Sequence, residues 1–148
     1  SKRPVFGNGG IIPDILIEKD TVYLNSQSPV MNNRMILERK YFGFASYYID
    51  KKNIKFSHKD EFIYGFEINE AVLGDFKTYL KIKKFEFDLE KFNRDKTFIS
   101  LLLKAEMGRL LYSWDVYYEI LRRADGQIQS SMAYFSQIDA LTKSDKGK

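Results

Sequence analysis

DLEKFNRDKTFISLLLKAEMGRLLY, residues 88–112, decides the fold class. Leu89, Phe92, Ile99, Leu103, Met107 and Leu110 recur at helical intervals, with Lys96 as the one interruption. That spacing lays an apolar line along one face of a helix. A single helix from Asp88 to Tyr112 would run roughly 35–40 Å at the α-helical rise. A helix with one apolar line must bury it against other elements, so further helices are expected around it.

The flanking sequence supplies them. Ser113 is placed to cap a helix carrying Trp114, Tyr117, Tyr118 and Leu121, and Asp125-Gly126 breaks it. A last helix follows with Ile128, Met132, Phe135 and Ile138. Upstream, Leu37, Tyr41, Phe44 and Tyr48 are spaced 4, 3, 4, which predicts one helix from about residue 33 to Lys52. Ser57 is a candidate N-cap with Asp60 and Glu61 in the first turn, where the helix dipole favours acids, ahead of Phe62, Ile63 and Phe66. Asn69 is a second candidate cap, ahead of Val72, Phe76, Tyr79 and Leu80. The expected fold is mainly α: about six amphipathic helices preceded by a short β segment. Residues 1–30 form the β segment, 31–142 the helical domain, and 143–148, which lack apolar side chains, a disordered tail.

Composition fits a soluble domain of 148 residues: 44% hydrophobic, 30% charged, and 16% aromatic from 12 Phe, 10 Tyr and one Trp. Large aromatics bury much area each and can hold a small core. The net charge is +4, yet the signs alternate: Lys81, Lys83 and Lys84 are followed at once by Glu86, Asp88 and Glu90. A nucleic-acid footprint needs a one-signed face, so nucleic acid is not an expected partner. There is no cysteine, which excludes disulfides and thiolate metal sites. No apolar run is long enough for a transmembrane segment. The chain opens at Ser1 in what reads as a strand region, so coding sequence upstream is expected.

All three prolines lie in the first thirty residues, in company with Val5-Phe6-Gly7-Asn8-Gly9-Gly10-Ile11-Ile12-Pro13-Asp14 and the aliphatic run Ile15-Leu16-Ile17. Thr21-Val22-Tyr23 adds another short β run. Three glycines within four residues permit positive φ or close backbone approach. The cluster lacks the Lys and Ser/Thr of a phosphate-binding loop, and no helix follows it. Chemistry alone therefore reads Gly7, Asn8, Gly9, Gly10, Pro13 and Asp14 as a structural turn between strands, with Asp14 accepting from loop amides.

This stretch resembles the close of the catalytic core in carboxyl-terminal processing (tail-specific) serine peptidases, which has the form Val-Tyr-Gly-Gly-Gly-Gly-Ile-x-Pro-Asp. Phe6 stands in place of the aromatic Tyr and Asn8 in place of a Gly, and Asn is the residue next best suited to positive φ. Phe44-Ala45-Ser46-Tyr47-Tyr48-Ile49-Asp50 is similar to a helix in the branch of that family with a long helical extension. So are Leu103-Lys104-Ala105-Glu106-Met107-Gly108-Arg109, the Tyr117-Tyr118 pair and Asp125. The resemblance implies a parent enzyme of the cell envelope or periplasm, with a Ser nucleophile, a Lys base and a PDZ domain all upstream of Ser1. This chain would then be a non-catalytic helical domain that packs, oligomerises or binds an adaptor, with polypeptide substrates belonging to the parent. No cofactor is implied. A stand-alone helical interaction module is the alternative, and a basic nucleic-acid binder a third reading.

Within the helical part, Ser100 and Lys104 sit at i, i+4 and could form a dyad, but no oxyanion donors lie near them in sequence, so the pair reads as an ordinary helix face. His58 is the lone histidine and reads as a capping-turn residue rather than a metal ligand. Trp114, Tyr117 and Tyr118 read as helix packing, with a peptide-binding aromatic surface as the alternative. No catalytic, cofactor or metal residue is assigned.

The glycine loop yields a direct test. Gly9→Val and Gly10→Val are each expected to cost about 1–3 kcal/mol, as for positive-φ positions. Asn8→Gly is expected to be near neutral. A thermal melt in which Asn8→Gly is the most damaging of the three would give the Asn side chain a role of its own.

Overall fold

A computed structural model describes residues 26–133. Within them the chain forms eight α-helices and no strand: α1 (Pro29–Leu37), α2 (Lys40–Lys52), α3 (Lys59–Gly65), α4 (Glu70–Ile82), α5 (Leu89–Arg94), α6 (Lys96–Leu111), α7 (Trp114–Arg123) and α8 (Gly126–Ala133). The mainly α class expected from periodicity holds. The β segment, the glycine motif Gly7–Asp14 and the tail lie outside the described residues. No helix among the described residues is long and apolar enough to cross a membrane.

Two expected helices are each divided. The run from residue 33 to Lys52 is α1 and α2, and α1 begins earlier, with Pro29 in its first turn, where a missing N–H costs nothing. The division falls at Glu38-Arg39, where Arg39 takes the left-handed conformation with φ 53°. The two helices therefore do not share an axis. Leu37, expected in line with Tyr41, Phe44 and Tyr48, is 82% exposed, and Met31, Asn32 and Met35 face inward from α1 instead. The caps of α2 and α4 follow a common rule. Asn53 and Lys84 are left-handed, and Ile54 N–H and Phe85 N–H reach back to the carbonyls of Ile49 and Leu80, as in a Schellman motif.

The second division splits 88–112 at Asp95 into α5, of 6 residues, and α6, of 16. The expected single rod is thus replaced by a stub and a helix of about 24 Å. The change of phase leaves Leu89 and Leu110, at the two ends of the expected buried line, exposed, while Phe92, Ile99, Leu103 and Met107 are fully buried. Asp95 itself is 3% exposed. Its Oδ2 accepts from Ser26 Oγ at 2.6 Å, Ser28 N at 2.9 Å and Asn32 Nδ2 at 2.6 Å, and its Oδ1 accepts from Gln27 N at 2.9 Å. The Asn32 side-chain Oδ1 in turn accepts from the Tyr41 hydroxyl. Burial, reinforced by the Asp95 charge, pushes the Tyr41 phenol far above its ordinary range, so it remains a donor. The carboxylate thus serves as a cap for the entry of α1, supplied from more than sixty residues away.

α6 is central: α7 and α2 lie along it, and α3 and α5 also touch it. Gly108 permits a close approach of α7. A Cβ there would meet Ile120 Cδ1 at 2.8 Å and Val116 Cγ1 at 2.9 Å on α7. Beside this axis the aromatic residues build the core. Phe44 on α2 packs against Phe76 and Tyr79 on α4, with ring centroids 4.9 and 5.6 Å away, and Phe76 continues to Phe92. Phe56, Phe62 and Phe66 form a second cluster around α3. Asn69 caps α4 as expected, accepting from Ala71 N and Val72 N. Ser57 does not cap α3; His58 holds that position, and the Glu61 carboxylate instead accepts from Ser57 N.

Removal of the Asp95 carboxylate would take from Gln27 N and Ser26 Oγ the acceptor they have here, while Ser28 N and Asn32 Nδ2 would keep only their bonds to Ser26 Oγ and, for Asn32, Ser28 O. Asp95→Ala is expected to lower stability by about 2–4 kcal/mol. Asp95→Asn is also expected to destabilise, because an amide NH2 would face N–H groups. Urea unfolding followed by helical circular dichroism measures both. A loss within about 0.5 kcal/mol, the range of ordinary surface changes, would show that the 26–28 segment is held by other means.

Candidate functional site

The most chemically distinctive surface lies where the α1–α2 junction, the second half of α6 and the start of α7 converge. Ile36, Arg39, Phe42, Glu106, Arg109 and Trp114 line a cleft of about 260 Å³ there, with Tyr41, Leu102 and Tyr117 at its base. Guanidinium groups and rings alternate across it. Arg39 sits over the Phe42 ring at 4.5 Å. Arg109 lies between Phe42, at 5.0 Å, and Trp114, at 4.5 Å. The Trp114 ring stacks with Tyr118 at 6.0 Å and meets Tyr117 edge-on at 5.3 Å. Such contacts are electrostatically favourable and hold long side chains in one orientation.

Trp114 and Tyr118 are 54% and 56% exposed. The expectation that they pack in the core is corrected: Val116 and Ile120 take that role on α7, and Tyr117 is half-buried. Two buried residues, one turn apart, suffice to seat a helix of 10 residues against α6, which frees Trp114 and Tyr118 for the surface. Glu106 accepts from both Arg109 Nε (2.9 Å) and Nη2 (2.7 Å). Burial, with Glu106 second, raises the Tyr117 phenol above its ordinary value, so it keeps its proton in the cleft. Arg39 and Phe42 were not legible from sequence as members of a site. The clue was present only as an arginine next to a helix interruption that periodicity had not revealed.

The other candidates fall apart in space. Lys104 does not serve Ser100: its Nζ donates to the Ile63 carbonyl at 2.7 Å, capping the last turn of α3 from α6. Partial burial draws the Lys104 ammonium below its ordinary value, an effect Glu67 opposes. The exposed His58 is at the start of α3, and its carbonyl accepts from the Tyr112 hydroxyl. Among the described residues no group of His, Asp and Glu is gathered in a way that could hold a metal ion.

With this geometry in view, comparison places the chain. The sequence profile of a family of unknown function, DUF8443, matches residues 28–113, and the chain belongs to that family. The matched segment opens at Ser28, which bonds to Asp95, and closes at Ser113, just before α7. It carries Arg39, Phe42, Glu106 and Arg109 of the cleft, while Trp114 and Tyr118 follow it. Neither a curated protein nor a solved structure matches the chain.

Lys104 can be tested as a structural cap. Lys104→Met keeps the packed stem and removes the bond to Ile63, so a loss of about 1 kcal/mol is expected in urea unfolding. Ser100→Ala is expected to stay within about 0.5 kcal/mol of the parent. Equal and coupled losses in the two variants and their double mutant would instead establish a Ser100–Lys104 interaction.

Proposed function

We propose that residues 28–133 form a non-catalytic, protein-binding helical domain that works beside the core of a carboxyl-terminal processing serine peptidase. The observation that carries the binding part is the Arg39–Phe42–Arg109–Trp114–Tyr118 surface, in which Arg39, Trp114 and Tyr118 are exposed and Phe42 and Arg109 part-buried between them. Trp, Tyr and Arg are the residue types most enriched among those that dominate protein interfaces, and here they are held in place by one another. The association with a peptidase is supported by the motif from Val5 to Asp14 immediately ahead of the helices. In this reading the Ser nucleophile and Lys base belong to sequence upstream of Ser1, in an envelope or periplasmic enzyme. The helices contribute adaptor binding or self-association.

A second reading, a helical interaction module independent of any peptidase, has its own support. The family segment begins at Ser28, after the glycine motif, and the helices have a continuous aromatic core without it.

Sequencing the reading frame upstream of Ser1 separates the two. A core with a Ser and a Lys nucleophile–base pair supports the first, and a frame without one leaves the second. The isolated chain is expected not to cleave an unstructured peptide with an apolar C-terminus. Cleavage abolished by Ser100→Ala would overturn the non-catalytic assignment.

A further inference from the structure

We propose that the cleft between Arg39 and Trp114 binds an acidic peptide segment, with a ligand carboxylate on Arg39 and a neighbouring apolar side chain against Trp114. This rests on the reading of the domain as a protein-binding module and names the chemistry of its partner.

Charge is the first argument. Two guanidinium groups line the cleft against one carboxylate, Glu106, and both bonds to Glu106 come from Arg109. The nearby Glu38 is engaged by Arg34 at 2.8 Å and Lys40 at 3.2 Å. Arg39 thus has no carboxylate partner among the described residues, although it is exposed and already oriented on Phe42. A guanidinium with a fixed plane and free donors is suited to a carboxylate, and fixing it beforehand lowers the entropic cost of binding.

Backbone conformation is the second. Arg39 is left-handed, with φ 53°, a state that favours glycine. Arg39, Asn53 and Lys84 all follow a helix end, and the Arg39 and Lys84 N–H groups bond back to Ile36 O and Lys81 O in the same way, but of the three only Arg39 lines the cleft. At position 39 a long cation occupies a site where glycine would be easier, and its side chain is directed onto the cleft ring Phe42. Strain at a binding residue is a recognised signature of function.

Size and surroundings select the partner. About 260 Å³ takes a side chain or two of an extended segment rather than a folded element. The surface beside it alternates in sign, through Glu38 with Arg34 and Lys40. A polyanionic backbone would meet repulsion there as often as attraction, which favours a peptide over nucleic acid.

Trp114 is the only tryptophan in the chain, so its emission reports directly on the cleft. The full chain is titrated with a ten-residue peptide of alternating Asp and Leu, with the same peptide carrying Asn for Asp, and with a single-stranded oligothymidylate. The acidic peptide is expected to change Trp114 emission saturably, and the Asn peptide to bind at least tenfold more weakly. Arg39→Gln is expected to weaken the acidic peptide at least fivefold. Arg39→Gly is expected to abolish the difference between the two peptides while the melting temperature stays level or rises, because glycine relieves the left-handed backbone. A structural role for Arg39 would instead lower the melting temperature in both variants. Equal affinity for the two peptides, no saturable change with either, or tighter binding of the oligothymidylate overturns the proposal. If it fails in this way while the upstream frame encodes the peptidase core, the module reading stands and only the cleft's partner chemistry is lost.

Discussion

A buried carboxylate without a cation beside it is expensive unless each oxygen is bonded. Asp95 meets that condition with donors from residues 26–32 alone, and no ion pair reaches it among the described residues. The consequence is geometric. The start of α1 is fixed to the joint between α5 and α6, and the orientation of both joined helices is set by the same few bonds. Tyr41 extends the network into α2, so one polar cluster ties together four of the helices whose apolar faces form the core. Apolar packing stabilises the domain, but it is non-directional. The Asp95 cluster supplies direction, which fits the general role of fully satisfied buried networks in specifying one arrangement.

The remaining helices arrange themselves around α6. Its buried residues Ile99, Leu103, Ala105, Met107 and Gly108 occupy more than one face, as a central helix requires. Gly108 brings α7 in close, and Gly43 does the same for α2 beneath the Tyr79 hydroxyl of α4. These approaches determine what is left outside. With Val116 and Ile120 seated on α6, the α7 rotation that buries them carries Trp114 and Tyr118 to the surface. The kink at Arg39 then brings a guanidinium and Phe42 to the same place from α2. The cleft is therefore a product of two packing decisions, the seating of α7 by Val116 and Ile120, which lie outside it, and the kink at Arg39, which is part of it.

That origin bears on function. A surface built by α2, α6 and α7 together exists only in the folded domain, and its rings and guanidinium groups are positioned before any partner arrives. The Ser100–Lys104 pairing suggested by residue type gives way to a structural one: Lys104 caps α3 across the helix interface. Both facts support the recognition role proposed for these helices.

The sequence by itself determined the helical class, the Asn69 cap, the break at Asp125-Gly126 and most of the core. Phe44, Tyr48, Phe62, Val72, Phe76, Leu80, Ile99, Leu103 and Met107 are all buried where periodicity put them. These are local matters, fixed by side-chain spacing and capping chemistry within a few residues. The tertiary structure alone decided the breaks at Arg39 and Asp95 and the exposure of Leu37, Trp114 and Tyr118. A short polar residue inside a helical pattern reads as a tolerated interruption until its partners are known, and those of Asp95 lie 63 to 69 residues away. Likewise Trp, Tyr and Val on one helix compete for a limited contact with α6. Which of them wins depends on the shape of the groove that Gly108 opens, a property no stretch of α7 contains.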